Sequence, residues 1–207
     1  MSRESPMTQT TNFPVLCALA AFIGLAGCAS SPPTQFYSLA AVPAQSPTSQ
    51  SDSARSRAAP LRVAAVHIPP SLDRREIVRL GAAERLEISG EHRWGAPFDE
   101  MVQQVLTQDL VTRLPPDEVV LPLGPAPAGT RSVVVDLLQF ESDASGGVML
   151  QGSWSLLVPG QSSPQLVREF RYDESASARS FEDEAAAMSR LLGRLADDIA
   201  REARARH

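Results

Sequence analysis

A cysteine set behind small residues at the end of an apolar run is the clearest chemical signal in this chain. Leu25-Ala26-Gly27-Cys28 closes the run from Val15 to Ala26. It has the form of a lipobox, where a cysteine thiol is joined to diacylglycerol and the preceding peptide is then removed. Cys28 would become the first residue, with S-diacylglycerol on its thiol and an N-palmitoyl-type chain on its amine. Each buried methylene contributes about 0.8 kcal/mol and stable anchoring takes at least two chains, so a triacylated Cys28 would hold the rest of the chain at a membrane. The run is about 12 residues long. That fits the roughly 7–15 of a signal-peptide core and falls short of the roughly 20 a membrane-spanning helix needs. The basic flank is thin, because Glu4 offsets Arg3, and a start at Met7 would leave no basic side chain. A simply cleaved signal and a retained anchor are the weaker readings.

The other reactive side chains form no constellation. Cys17 lies inside the apolar run and leaves with it, so the mature chain could form no internal disulfide and hold no cysteine-based metal site or nucleophile. The 3 histidines are scattered: His67 in a strand before Pro69, His92 in a loop before Trp94, and His207 last. None has the spacing of a zinc helix. Gly152-Ser153-Trp154-Ser155 fails the nucleophile-elbow pattern, and Gly146-Gly147 reads as a hairpin turn rather than a phosphate loop. Glu182-Asp183-Glu184 and Asp197-Asp198 read as solvated helix faces. Asp73-Arg74-Arg75 reads as a charged turn after a proline more readily than as an anion site. No cofactor is implied.

The elements that would carry these residues follow from pattern. With a net charge of −5 and 19 arginines without a lysine, the chain shows no basic footprint for nucleic acid. A leader over 1–27 and a lipidated lead over 28–34 leave 35–207 as one domain with a sizeable core. Gln35–Leu39 reads as a short strand. Residues 40–60, rich in Ser, Pro and Ala, cannot offset their ordering entropy and serve either as tether or as a loose loop between strands. Leu61–Ile68 reads as a strand, and Glu76–Leu80 with Arg85–Ser89 as a hairpin around Gly81. Phe98, Met101, Val102, Val105, Leu106, Leu110 and Leu114 share one helical face, entered through Pro97 and stopped by Pro115-Pro116. Ser132–Glu141, Val148–Val158 and Leu166–Tyr172 predict a three-strand antiparallel meander. Nonpolar residues alternate through the middle strand, placing Trp154 toward a core. A last helix begins at Ser180, with Asp183 as an approximate capping box. The fold class is α/β or α+β, a mixed sheet of about five to six strands with two main helices packed on it.

Four blocks, in order, resemble a known family. They are the lipobox followed by Pro32-Pro33-x-x-Phe36-Tyr37-x-Leu39; Val66-His-Ile-Pro-Pro-Ser-Leu-Asp-Arg-Arg-Glu-Ile-Val78; Arg93-Trp94-Gly-Ala-Pro97 before a long helix; and Val148-x-Leu150-x-x-x-Trp154-x-Leu156. Together they are similar to the PqiC-type ABC-transport auxiliary lipoproteins across nearly the whole mature chain. Phe98 departs from the leucine frequent in that family, a volume change a core can absorb.

The resemblance implies a non-enzymatic periplasmic component of MCE-type systems, which carry lipids between the two membranes of a Gram-negative envelope. Its partners would be an MCE-domain protein with its membrane transporter subunits, and its own copies in a homo-oligomer. It transfers no catalytic residues; Asp73, Arg74 and Trp94 would be structural or interfacial at most. Ala29, where an aspartate commonly retains lipoproteins in the inner membrane, favours the periplasmic side of the outer membrane. The alternative is a binding or assembly lipoprotein of another envelope machine, for lipopolysaccharide or secretion. An anchored enzyme is disfavoured by the scattered histidines.

Overall fold

The computed structural model describes residues 32–44, 59–175 and 180–206. Cys28, the leader and most of the 40–60 segment lie outside the described residues. Every element described belongs to one compact unit, Thr34–His207. In chain order these are β1 (Gln35–Tyr37), β2 (Leu61–His67), β3 (Glu76–Leu80), β4 (Leu86–Trp94), α1 (Phe98–Arg113), β5 (Arg131–Asp143), β6 (Val148–Leu157), β7 (Leu166–Glu174) and α2 (Phe181–Ala205).

The two helices start and stop where local chemistry says they should. Pro97 precedes α1, Asp99 and Glu100 meet the positive end of its dipole, and Arg113 lies in its last turn. Pro115-Pro116 cannot continue it. At α2, the Ser180 side chain accepts a hydrogen bond from the Asp183 backbone N–H at 3.1 Å, satisfying one of the donors a helix start leaves open.

Seven strands form one open sheet in the order β1-β4-β3-β5-β6-β7, with β2 also paired to β5. The fold is α+β, two helices on a mixed sheet, with seven strands where about five to six are expected. β5 organises it. One of its edges pairs with β6 in antiparallel fashion along nearly its whole length. The other is shared by two parallel partners, β2 along Arg131–Asp136 and β3 at Ser142 and Asp143. The meander β5-β6-β7 is as the alternation predicts.

One face of this sheet carries the core. Val63, Val133, Val135, Leu150, Trp154 and Leu156 are buried there under Val102, Leu106 and Leu110 of α1 and Leu191, Leu192 and Leu195 of α2. The intervening residues of β6 (Met149, Gln151, Ser153, Ser155) are only half-buried. Gly152 is required where β6 crosses a register shift in β5: a Cβ there would lie 2.3 Å from the Asp136 carbonyl oxygen and 3.0 Å from Leu137 Cα. No side chain fits that approach.

His92 is not in a loop but within β4, which runs on to Trp94 because His92–Trp94 pair in parallel with Gln35–Tyr37. That pairing joins segments more than fifty residues apart, and local pattern carries no trace of it.

Candidate functional site

Polar side chains converge where the N-terminal segment is held on the helices. After β1 the chain runs as an extended strap, and its backbone is taken up by side chains from both helices. The Leu39 N–H donates to Met101 Sδ at 3.4 Å, the Ala40 N–H to Ser189 Oγ at 3.1 Å and the Val42 N–H to Asp109 Oδ1 at 2.7 Å. Arg113 closes the clamp, donating through Nη1 to the Val42 carbonyl at 2.9 Å and through Nε to Asp197 Oδ1 of α2 at 2.6 Å. A backbone away from regular pairing must find such partners when buried, so this acid and base do for the strap what a neighbouring strand would do.

Asp109 is fully buried, and its Oδ2 lacks a hydrogen-bond partner. Burial pushes its carboxyl up to about 6, against the lowering effects of the Val42 N–H and Arg113. The folded chain then holds a proton that the unfolded chain, with an ordinary value of 3.8, has already released. This contribution to stability is complete below about pH 4 and is lost as pH rises through about 6. We expect the denaturation midpoint of wild type, measured against Asp109→Asn, to fall across that window and to level off above it. A parallel pair of pH profiles would contradict the assignment.

Next to the strap lies a stacked column. The Arg79 guanidinium sits 3.6 Å from the Phe181 ring centroid, and the His92 ring stacks on Phe181 at 3.8 Å. Arg79 Nε also donates to Glu184 Oε2 at 2.8 Å. Glu184 is only 2 % exposed, so the acidic run at the start of α2 is not uniformly a solvated face: one of its carboxylates is buried and paired. The Tyr37 hydroxyl donates to Gln35 and Glu182, and burial with the Glu182 charge raises its pKa. At the other end of the helix, the buried Arg131 donates to the carbonyls of Ala203 and Arg206 and to that of Ala59. A fixed cation there opposes the negative end of the dipole and pins β2 to the C-terminus of α2.

Each of the two described histidines has a polar side-chain partner. His67 Nδ1 lies 2.7 Å from Asp136 Oδ1, and Ser153 is the register partner of Asp136 on its other side. The carboxylate therefore sits between histidine and serine, whereas nucleophile activation needs the imidazole in the middle. Ser89 Oγ is 2.9 Å from His92 Nδ1, but the same oxygen also accepts the His92 backbone N–H at 3.1 Å, a brace local to one strand. Among the described residues no group of three or more His, Cys, Asp or Glu could hold a metal ion. No described helix is long and apolar enough to cross a membrane.

The residues singled out from sequence are not brought together. Asp73 and Arg74 are exposed in the turn before β3. Trp94 is buried, stacked on Phe98 at 5.1 Å, with Phe98 in turn against Phe140 at 5.6 Å. Cys28 lies outside the described residues. Sequence reasoning missed the Asp109–Arg113 clamp, although a signal was present: the pair is spaced i,i+4 and falls on the apolar stripe of α1, where a surface pair would not.

The chain folds as a small α+β domain with an open seven-stranded sheet, whose buried Asp109 and Arg113 hold its own N-terminal segment. The comparisons give that class its family. The chain belongs to the ABC-type transport auxiliary lipoprotein components, whose family model matches residues 37–200. Two crystal structures share the fold. One, of an uncharacterised protein, has a TM-score of 0.68 at 19% identity, covering 82% of this chain and 98% of its own. Another is a Xanthomonas campestris protein assigned to the family model DUF330, with a TM-score of 0.63 at 15% identity, covering 84% and 100%. Among curated proteins none matches this chain. Family membership makes the chain an auxiliary component of ABC-type transport, associated with a transporter and with a membrane.

Proposed function

We propose that this protein is a lipid-anchored, non-enzymatic accessory subunit of an MCE/ABC-type system that moves lipids between the inner and outer membranes. It is acylated at Cys28, held on the periplasmic side of the outer membrane, and docked as a homo-oligomer on the MCE-domain protein. The observation that carries the reading is the continuity of lipobox and family: the match begins at residue 37, nine positions after the acylated cysteine. Ala29 supports export to the outer membrane. The scarcity of reactive geometry supports a docking role, since binding to a partner needs surface and a fixed attachment rather than a nucleophile.

Affinity purification of the full acylated protein from detergent-solubilised envelopes tests the partner. An MCE-domain protein with its permease and ATPase should be enriched with it. Recovery instead of lipopolysaccharide-assembly or secretion components, with no MCE-domain protein, would assign the chain to another envelope machine.

A further inference from the structure

We propose that the tip of the β3–β4 hairpin is a second, protein-borne membrane contact, seating Leu86 and Ile88 in the interfacial layer of the bilayer that holds the anchor; the proposal rests on acylation of Cys28. Leu86 and Ile88 are 44 % and 50 % exposed. Their register partners across the hairpin are Leu80 and Val78, so the four side chains share one face, while Glu87 pairs with Arg79 on the other. Arg85 is exposed at the tip, a cation suited to lipid phosphate beside apolar side chains suited to the acyl boundary.

The direction of the chain identifies the occupant of this patch. β1 is parallel to β4 and begins at Gln35 beside His92, so the chain reaches β1 from the hairpin side of the sheet. From His92 back to Leu86 is up to about 20 Å along β4. From Gln35 back to Cys28 is seven residues, at most about 24 Å of fully extended chain. The tether is therefore hardly longer than the distance by which the hairpin projects in the same direction. A domain drawn to a bilayer by so short a link meets it with the hairpin tip.

The same strand is poorly formed as a docking edge for another strand. Among the described residues, β1 covers only His92–Trp94 of the outer edge of β4. Between the pairs Glu76↔Arg93 and Val78↔Ile88, β4 carries Ser89, Gly90, Glu91 and His92 against Ile77 alone. An irregularity of that size bends the edge and spoils a continuous ladder. A fluid, wet interface needs no register.

The test uses the full acylated protein carrying Leu86→Cys. Cys17 leaves with the leader and Cys28 is blocked by lipid, so the new thiol is the only one available to an environment-sensitive fluorophore. Ile88→Cys serves as a second hairpin probe, and Val167→Cys, 55 % exposed on the opposite edge strand, as the control. The proteins are reconstituted into vesicles of phosphatidylethanolamine and phosphatidylglycerol with brominated acyl chains. We expect the hairpin probes to shift to the blue and to be quenched at least twofold, with position 167 unaffected. Vesicle flotation reads the anchor separately. Flotation with unquenched hairpin probes, or with equal quenching at position 167, overturns the hairpin contact alone. Failure to float overturns the anchor and the hairpin contact together.

Discussion

Replacing Trp154 by alanine should lower stability by about 3 to 5 kcal/mol, a large share of the roughly 5 to 15 kcal/mol typical of a folded domain. The indole is 2 % exposed and among the largest fully buried side chains. It lies in the core register of β6, with Val135 on one side and Arg168 on the other. Truncation removes the hydrophobic burial and leaves a void that close-packed neighbours on a sheet cannot collapse to fill. In a chain of this size the loss corresponds to a fall in melting temperature of roughly 6 to 20 °C. Trp154→Phe, which keeps most of the ring volume, should lose less. Because the side chain is buried within a single chain, the cost belongs to folding and not to a subunit interface. An unchanged melting temperature for Trp154→Ala would contradict the core assignment.

How much of this was legible in the sequence depends on how local each interaction is. The stripe of α1 from Phe98 to Leu110, the Ser180 cap of α2 and the alternation of β6 are all set by neighbours within a few residues, and sequence pattern finds them. Trp154 was legible for the same reason: a two-residue period on a strand leaves no freedom about which face a side chain takes. The division of β5's edge between β2 and β3, and the parallel pairing of β1 with β4, were not legible. Each joins distant segments through backbone hydrogen bonds that make no demand on side-chain type.

Buried charge was the other blind spot. Asp109, Arg113, Arg131 and Glu184 are residue types found mostly at surfaces, and composition alone places them in water. Each is buried here because it satisfies a specific need: a strap backbone for Asp109 and Arg113, helix carbonyls for Arg131, and the Arg79 guanidinium for Glu184. Removing one partner of such a set costs more than the set contributes, since the remaining group stays buried and unpaired. The strap is thus fixed by interactions that only a complete fold can supply.

The proposed place of the domain in the envelope, its partner and its hairpin contact all follow from the anchor at Cys28. The expected effect of Cys28→Ala is all-or-none. Without the thiol there is no diacylglycerol transfer, and without that transfer the lipoprotein signal peptidase leaves the leader uncleaved. Metabolic labelling with radioactive palmitate, followed by separation of inner and outer membranes, reads both steps at once. Wild type should carry label and run at the mature length in the outer membrane, whereas Cys28→Ala should carry none and remain at precursor length in the inner membrane. Label retained by the Cys28→Ala protein, or processing to the mature length without it, would contradict the lipid anchor.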